Sequence, residues 1–111
     1  MSVIHTPIIK HPPIVLLVGL RDDLARTCTA VIAPLPTMRA ASAATAIERL
    51  PIVRPLVVVL ADDLPEQDLV SVTERAADVT AVVVRVAHGE DAQTLESSLK
   101  RAASEAEARR G

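Results

Sequence analysis

The sequence predicts an α/β fold, in which a parallel sheet is covered by helices on both faces. Short apolar runs alternate along the chain with segments whose apolar residues recur at helical spacing. The runs Ile14–Val18 and Leu56–Leu60 contain no polar residue, which is typical of parallel strands that are buried on both sides. Strands and helices that alternate in this way indicate right-handed βαβ units and a strand order of 2-1-3-4.

A helix is expected directly after the first strand. Asp22 and Asp23 are placed to cap its start, and Pro34 and Pro36 end it. Its apolar residues recur at i, i+4, i+7 and i+8 and form one buried face: Leu24, Cys28, Val31 and Ile32. The single cysteine therefore reads as a small core residue and not as a reactive thiol, because reactive thiols lie in exposed, electropositive surroundings.

The second strand and second helix are predicted from shorter patterns. Thr37–Ala41 is the strand, Ser42 is placed to cap the helix, and Pro51 ends it. The helix carries its apolar residues on one face: Ala43, Ala46, Ile47 and Leu50.

Two further strand–helix pairs complete the domain. After Leu56–Leu60, Asp68 is placed to cap the third helix. The fourth strand is Ala81–Val86, which Arg85 interrupts, and Asp91–Arg110 is the longest helix. Its stripe is formed by Ala92, Leu95, Leu99, Ala102 and Ala106. The simplest arrangement is a flavodoxin-like three-layer α/β/α sandwich that lacks a fifth strand.

The chain divides into an amino-terminal arm, residues 1–13, and one domain, residues 14–111, that ends in the long helix at about 91–110. The arm contains three prolines, and proline is poorly tolerated inside a sheet. Beyond Lys100 the long helix thins to alanine and charge, so this end is expected to project past the sheet or to fray.

The composition excludes several classes of function. The 111 residues include no aromatic side chain and carry a formal net charge of -2, so we expect no nucleic-acid partner. No run approaches the roughly 20 apolar residues that cross a bilayer, and we expect a cytoplasmic protein without a membrane partner. No glycine-rich phosphate loop is present. The histidines lack metal-ligand spacing: His5, His11 and His88. We expect no cofactor.

The stretch Met38–Asp68 resembles, without a gap, a receiver domain of two-component response regulators, the CheY-like fold. Met38–Ile47 is similar to the second strand and the start of the second helix of that family. Pro55–Leu60 is similar to the strand that leads to the phosphate-accepting aspartate, and Pro65 matches the loop proline four residues beyond that aspartate. Val82–Ala87 looks like the fourth strand with its terminal Thr-Ala pair.

The chain departs from the family at every catalytic position. Ala61 stands where the phosphate acceptor is expected, and Gly19 and Leu20 stand where an acidic pair would hold Mg²⁺. Val86 replaces the switch hydroxyl, and the lysine of the fifth strand has no counterpart. The resemblance therefore implies a non-enzymatic pseudo-receiver, a protein-interaction module of bacterial signalling that is independent of phosphorylation.

Two alternatives stay open at this point. In the first, the match to the receiver family is displaced slightly along the chain, so that Asp62 or Asp63 is the phosphate acceptor. Mg²⁺ would then be bound by Asp22 and the loop carboxylates. The other is an unrelated small α/β module that binds a ligand at the carboxyl ends of its strands, near Gly19, Ala61 and Ala87.

A missing fifth strand would leave the fourth strand as an exposed edge, which proteins normally cover. We therefore expect a protein partner in a signalling or regulatory assembly, and a homodimer formed through the last helix and the fourth-strand edge. The residues expected to make the contacts are Arg85, Leu95, Leu99 and Arg101.

Overall fold

Strands and helices alternate along residues 13–110, the part of the chain that the computed structural model describes. The predicted arm, residues 1–13, lies outside the described residues except for Pro13. The elements are β1 (Val15–Val18), α1 (Asp22–Ile32), β2 (Thr37–Ala40), α2 (Ala43–Val53), β3 (Val57–Ala61), α3 (Glu66–Asp78), β4 (Val82–Val86) and α4 (Ala92–Arg110). All eight predicted elements are present, with strand ends that differ from the prediction by one residue.

The four strands form one parallel sheet of order β2-β1-β3-β4, which confirms the predicted topology. Val15 pairs with Thr37 on one side and with Val57 on the other, and Val57 in turn pairs with Val82. The strands therefore start at one level, and their carboxyl ends meet at the opposite edge of the sheet. Within the described residues there is no fifth strand, so β2 and β4 are the edges.

Alternating side chains of the strands build two separate cores. Val15 and Leu17 point into the core beneath α1 and α4, whereas Leu16 and Val18 point into the core beneath α2 and α3. Every residue of β1 and β3 is essentially inaccessible to solvent, as expected for central parallel strands. Small side chains along the helices, such as Ala25, let them pack closely on the sheet.

The predicted caps are correct for one of the first three helices. The Ser42 hydroxyl accepts a hydrogen bond from the Thr45 amide at 3.3 Å at the start of α2. Asp22 does not cap α1, because it is itself the first helical residue and Arg21 is the N-cap. Asp68 likewise lies inside the first turn of α3, which starts after Pro65. Both carboxylates instead act through the helix dipole, which favours negative charge in the first turn.

Pro51 does not end α2, contrary to the prediction. The helix continues through Pro51 to Val53, because a proline near the end of a helix removes only one hydrogen bond. Arg54 ends it by adopting a left-handed backbone with φ of 48°, and its amide donates to the Leu50 carbonyl at 2.9 Å.

The last helix is held at both ends and packs on the sheet along its length, so it does not project as expected. At its start, Asp91 Oδ1 accepts a 2.7 Å hydrogen bond from the Thr94 amide. Ala102 and Ala106 are buried, and Arg110 Nη2 donates to the Pro55 carbonyl at 2.6 Å. Among residues 13–110, no helix has both the length and the apolar character needed to cross a membrane.

Candidate functional site

Three loops meet at the carboxyl ends of the strands, where parallel α/β sheets place their sites. They follow β1, β3 and β4 and comprise residues 19–21, 62–65 and 87–91. In the family that the chain resembles, phosphoryl transfer would take place between these loops, so each sequence-predicted position can be compared with its surroundings here.

Ala61 closes β3 and is fully buried in the core beneath α1 and α4. It lies opposite Val86, and the amide of the next residue, Asp62, donates to the Val86 carbonyl at 2.9 Å. The main chain around Ala61 is thus paired into the sheet. The position of the expected phosphate acceptor holds a methyl group that solvent does not reach.

The space above Gly19 is occupied by the side chain of Leu64. Gly19 has a φ of +71°, and a β-carbon built on it would lie 2.9 Å from Leu64 Cδ2. Leu64 also packs against both cores, so it covers the sheet where β1 and β3 end. Glycine is favoured here because the backbone is left-handed, and a β-carbon would in addition require the tip of the Leu64 side chain to shift. The neighbouring Leu20 is buried as well.

The acidic residues of the alternative phosphate site contact different side chains and do not converge. Asp22 Oδ1 pairs with Arg39 Nη1 at 2.9 Å, and Arg39 also donates to the Leu20 carbonyl at 2.9 Å. Asp62 and Asp63 are exposed, and Asp63 Oδ2 lies 3.6 Å from His88 Nδ1. In the part of the chain that the structure describes, no three histidine, cysteine or acidic residues are grouped so that they could hold a metal ion.

His88 connects the three loops, a role that the sequence analysis missed. Its Nε2 accepts a hydrogen bond from the Arg21 amide at 3.3 Å, and its Nδ1 faces Asp63. The ring is only 13% exposed. The sequence signal for this role was the position of His88 two residues after the end of the fourth strand, at the edge of the sheet where the other loops meet. His5 and His11 lie outside the described residues.

Cys28 is a core residue, as predicted. Its side chain is fully buried beneath α1 and α4. Burial, with a smaller contribution from the Glu90 carboxylate, raises the pKa of the thiol to about 11. The sulfur is therefore protonated at neutral pH and is a poor nucleophile.

The four predicted contact residues divide into two pairs. Arg85 and Arg101 are exposed and could meet a partner. Leu95 and Leu99 are fully buried, so their assignment to a contact surface is wrong. The reason is that α4 packs on β3 and β4 beside α1, and the leucine stripe is the face that it buries.

The outer edge of β4 has hydrogen-bonding capacity that the described residues do not use. The Val82 amide and the Val86 carbonyl bond to the β3 side, so the main-chain groups of Val83 and Arg85 point away from the sheet. The amides that flank them are already engaged. The Ala81 amide donates to the Ala76 carbonyl and the Ala87 amide to Glu90 Oε1. The open edge is therefore short and well defined.

An open groove of about 600 Å³ lies on the flank of α1 beside β2. Its lining consists of Asp22, Ala25, Arg26, Thr29, Ala30 and Arg39. The ligand site envisaged from the sequence was elsewhere, near Gly19, Ala61 and Ala87. There Leu64 covers Gly19, and Ala61 is buried.

The chain is similar in structure to solved signal receiver domains. The chain is similar to the signal receiver domain of an HD domain-containing protein from Pseudomonas fluorescens Pf-5, with a TM-score of 0.67 and 16% identity. The match covers 87% of this chain and 98% of that one. It is also similar to the signal receiver domain of a putative Luxo repressor protein from Vibrio parahaemolyticus, with a TM-score of 0.63 and 17% identity. That match covers 88% of this chain and 95% of the other.

The similarity lies in structure and not in sequence. No protein-family model matches the chain, and no curated protein matches it either. At 16% and 17% identity the structural matches establish the fold alone. The chain has the CheY-like fold of a signal receiver domain, with four strands where the residues are described.

Proposed function

We propose that the chain is a pseudo-receiver that acts in bacterial signalling or regulation as a protein-interaction module, without a phosphorylation cycle and without enzymatic activity. The observation that carries the proposal is the packing at the carboxyl end of the sheet. Ala61 is fully buried there, and Leu64 fills the space above Gly19. The receiver fold supports the signalling role, and this packing supports the loss of its chemistry.

Phosphoryl transfer to a receiver needs a nucleophile, a metal ion and compensating positive charge around the same oxygens. Ala61 offers no nucleophile, and Asp22 is paired with Arg39. Val86 has no hydroxyl and is itself 1% exposed. Each replacement is apolar or already partnered, which favours a fixed surface over a switch.

The partner surface is assigned to exposed positions on β4 and α4. Arg85 and Arg101 offer guanidinium groups, which are frequent in protein interfaces. The homodimer predicted from the sequence would use the β4 edge but not the leucines of α4, which are buried. Light scattering tests it, since a mass near 11.8 kDa at all concentrations would refute the dimer.

The decisive experiment compares amide NMR spectra with and without Mg²⁺ and beryllofluoride, which mimics a phosphorylated aspartate. We expect a dispersed spectrum that does not change, while a receiver domain with an intact aspartate site shifts under the same conditions. Joint shifts of Gly19, Asp62, Asp63 and Ala87 would refute the proposal. Such shifts would instead indicate that Asp62 or Asp63 is the phosphate acceptor. In that case the Asp62→Ala/Asp63→Ala double variant should no longer show them.

A further inference from the structure

We propose that the outer edge of β2 and the groove beside it form a binding site for an extended, acidic peptide segment of a partner protein. The peptide would add to the sheet as a further strand and direct alternate side chains into the groove. The site lies at the opposite edge of the sheet from β4, so the proposal does not depend on the proposed function.

The outer edge of β2 offers main-chain groups with which a peptide strand can pair. The carbonyls of Pro36 and Ala40 accept hydrogen bonds from the β1 side. Because main-chain directions alternate along a strand, the N–H and C=O groups of Thr37 and Arg39 point outward. Within residues 13–110 these four groups have no hydrogen-bond partner. They supply two donors and two acceptors, which is the pattern that strand addition uses.

The groove of about 600 Å³ lies along the same edge, between β2 and the flank of α1. The side chains of Thr37 and Arg39 point to this face of the sheet. The Thr37 hydroxyl lies 3.1 Å from that of Thr29, and Arg39 Nη1 lies 2.9 Å from Asp22 Oδ1. Every second side chain of a strand beside β2 would point to the same face and so enter the groove.

The groove is long enough for two side chains of a peptide. Its residues on α1 begin at Asp22 and end at Ala30, which is about 12 Å along the helix at roughly 1.5 Å per residue. Side chains on one face of a strand recur about every 6.6 Å, because each residue advances roughly 3.3 Å. Ala25 and Ala30 leave room for them, since their own side chains are small.

The charge of the groove favours an acidic peptide. Its lining contains one carboxylate, that of Asp22, and two guanidinium groups, those of Arg26 and Arg39. Asp22 is already paired with Arg39. Arg26 is exposed and forms no salt bridge with any residue of the described part of the chain. Its guanidinium group is therefore suited to a carboxylate of the ligand, which arginine can bind through two parallel hydrogen bonds.

A second copy of the chain fits this edge less well than an acidic peptide does. Antiparallel pairing of β2 with β2 of another copy would place the two grooves side by side on the same face of the joined sheet. Each groove carries one more guanidinium group than carboxylates, so like charges would face each other. The partner segment is thus expected to come from a different protein.

Selection from a displayed library of random heptapeptides tests the proposal on the full chain. We expect the enriched peptides to contain an acidic residue. At saturation, a synthetic copy of the strongest binder should slow amide exchange at Thr37 and Arg39 roughly tenfold or more. Arg26→Gln should weaken its binding by roughly tenfold, because a hydrogen bond between charged groups is removed. Arg75→Gln is the matched control, an exposed arginine on α3, and should leave binding unchanged.

Methylation of the peptide, one main-chain nitrogen at a time, tests strand addition separately from charge. Each methyl group removes one N–H donor. Losses of roughly tenfold in affinity should recur at every second position, because alternate N–H groups of a strand would face β2. Losses that do not alternate would contradict strand addition, even if the acidic side chain proved necessary.

Three further results would overturn the proposal. Slow exchange of Thr37 and Arg39 in the chain without peptide would show that the edge is already covered. A selection that enriches no peptide, or only peptides that bind Arg26→Gln equally well, would show that the groove is not an acidic-peptide site. Protection of Val83 and Arg85 instead would assign the binding to the β4 edge.

Discussion

The carboxyl end of the sheet and the outer edge of β4 are completed to different degrees. At the carboxyl end, Leu64 packs over Gly19, His88 joins three loops, and Ala61 is sealed in the core. At the edge, Val83 and Arg85 present main-chain groups for which residues 13–110 supply no partner. The contrast teaches that apolar packing leaves little open space at the carboxyl end of the sheet, while the β4 edge keeps main-chain groups that residues 13–110 leave unpaired.

The largest effect is expected from returning an acid to the sealed end. Ala61→Asp would place a carboxyl group in a fully buried apolar position, and we expect a loss of roughly 3–5 kcal/mol in the free energy of unfolding. Asp62→Ala, at the exposed next position, should change it by less than about 0.5 kcal/mol. Urea denaturation of both variants measures the difference.

The opposite outcome for Ala61→Asp would break the comparison. If the variant were as stable as the unmodified chain and its amides shifted with Mg²⁺ and beryllofluoride, the carboxyl end would be an open site that lacks only its acceptor. The core packing around Ala61 argues for destabilisation instead, because a buried carboxyl without a hydrogen-bond partner is costly.

A second prediction separates the buried from the exposed face of α4. Leu99→Ala should lower the free energy of unfolding by about 2–5 kcal/mol, because it leaves a cavity between α4 and the sheet. Arg101→Ala, two residues on, should change it by less than about 0.5 kcal/mol. Thermal or urea unfolding decides this. If Leu99→Ala were as stable as the unmodified chain, Leu99 would not be a core residue and could belong to a contact surface.

A third prediction concerns the contact that closes the carboxyl end. Gly19→Ala should lower the free energy of unfolding by about 1–2 kcal/mol because the backbone there is left-handed. The contact of the added methyl group with Leu64 should lower it further. The loss caused by Gly19→Ala should be smaller when Leu64→Ala is also present, because the clash is then removed. In a double-mutant cycle this difference is a coupling energy of roughly 0.5 kcal/mol or more.

Gly89 supplies the control for that cycle. It also has a positive φ, +97°, but a β-carbon there would have no atom within 4 Å. Gly89→Ala should therefore show a backbone cost and no coupling to Leu64→Ala. Coupling of the same size at Gly89 would mean that the cycle reports something other than the contact above Gly19.

Sequence patterns predicted the sheet well because its two central strands, β1 and β3, are buried on both faces and carry only apolar residues. Ile14–Val18 and Leu56–Leu60 had no competing interpretation, and the crossover rule then left one simple strand order. Helix starts were less accurate. Asp22 and Asp68 each favour a helix start, but a carboxylate serves equally well inside the first turn.

For the candidate site, the sequence predicted which catalytic side chains are absent but not how the loops around them pack. The spacing to Pro65 predicts that Ala61 occupies the position of the phosphate acceptor, and this assignment stays a prediction. The positions of Leu64 and His88 depend on how three loops meet, which local patterns do not encode. The stripe at Leu95 and Leu99 was visible in the sequence, but periodicity alone does not tell a face packed on the protein's own sheet from a face that binds a partner.

The smallest effect on stability is expected at Asp91, which caps the start of α4 at the carboxyl end of the sheet. Hydrogen bonds from the amide and the hydroxyl of Thr94 hold the pKa of Asp91 below its ordinary value of 3.8. Because the pKa is lower in the folded chain, the cap stabilises fully above the unfolded value and is lost as the pH falls through the folded one. A carboxyl-carbon NMR titration should show the low pKa directly. Asp91→Asn keeps a capping oxygen without a titrating group, so it should remove this part of the acid sensitivity while the carboxyl end stays packed. An Asp91 that titrated at its ordinary value would mean that the start of α4 is open in solution, and the contrast with the β4 edge would weaken.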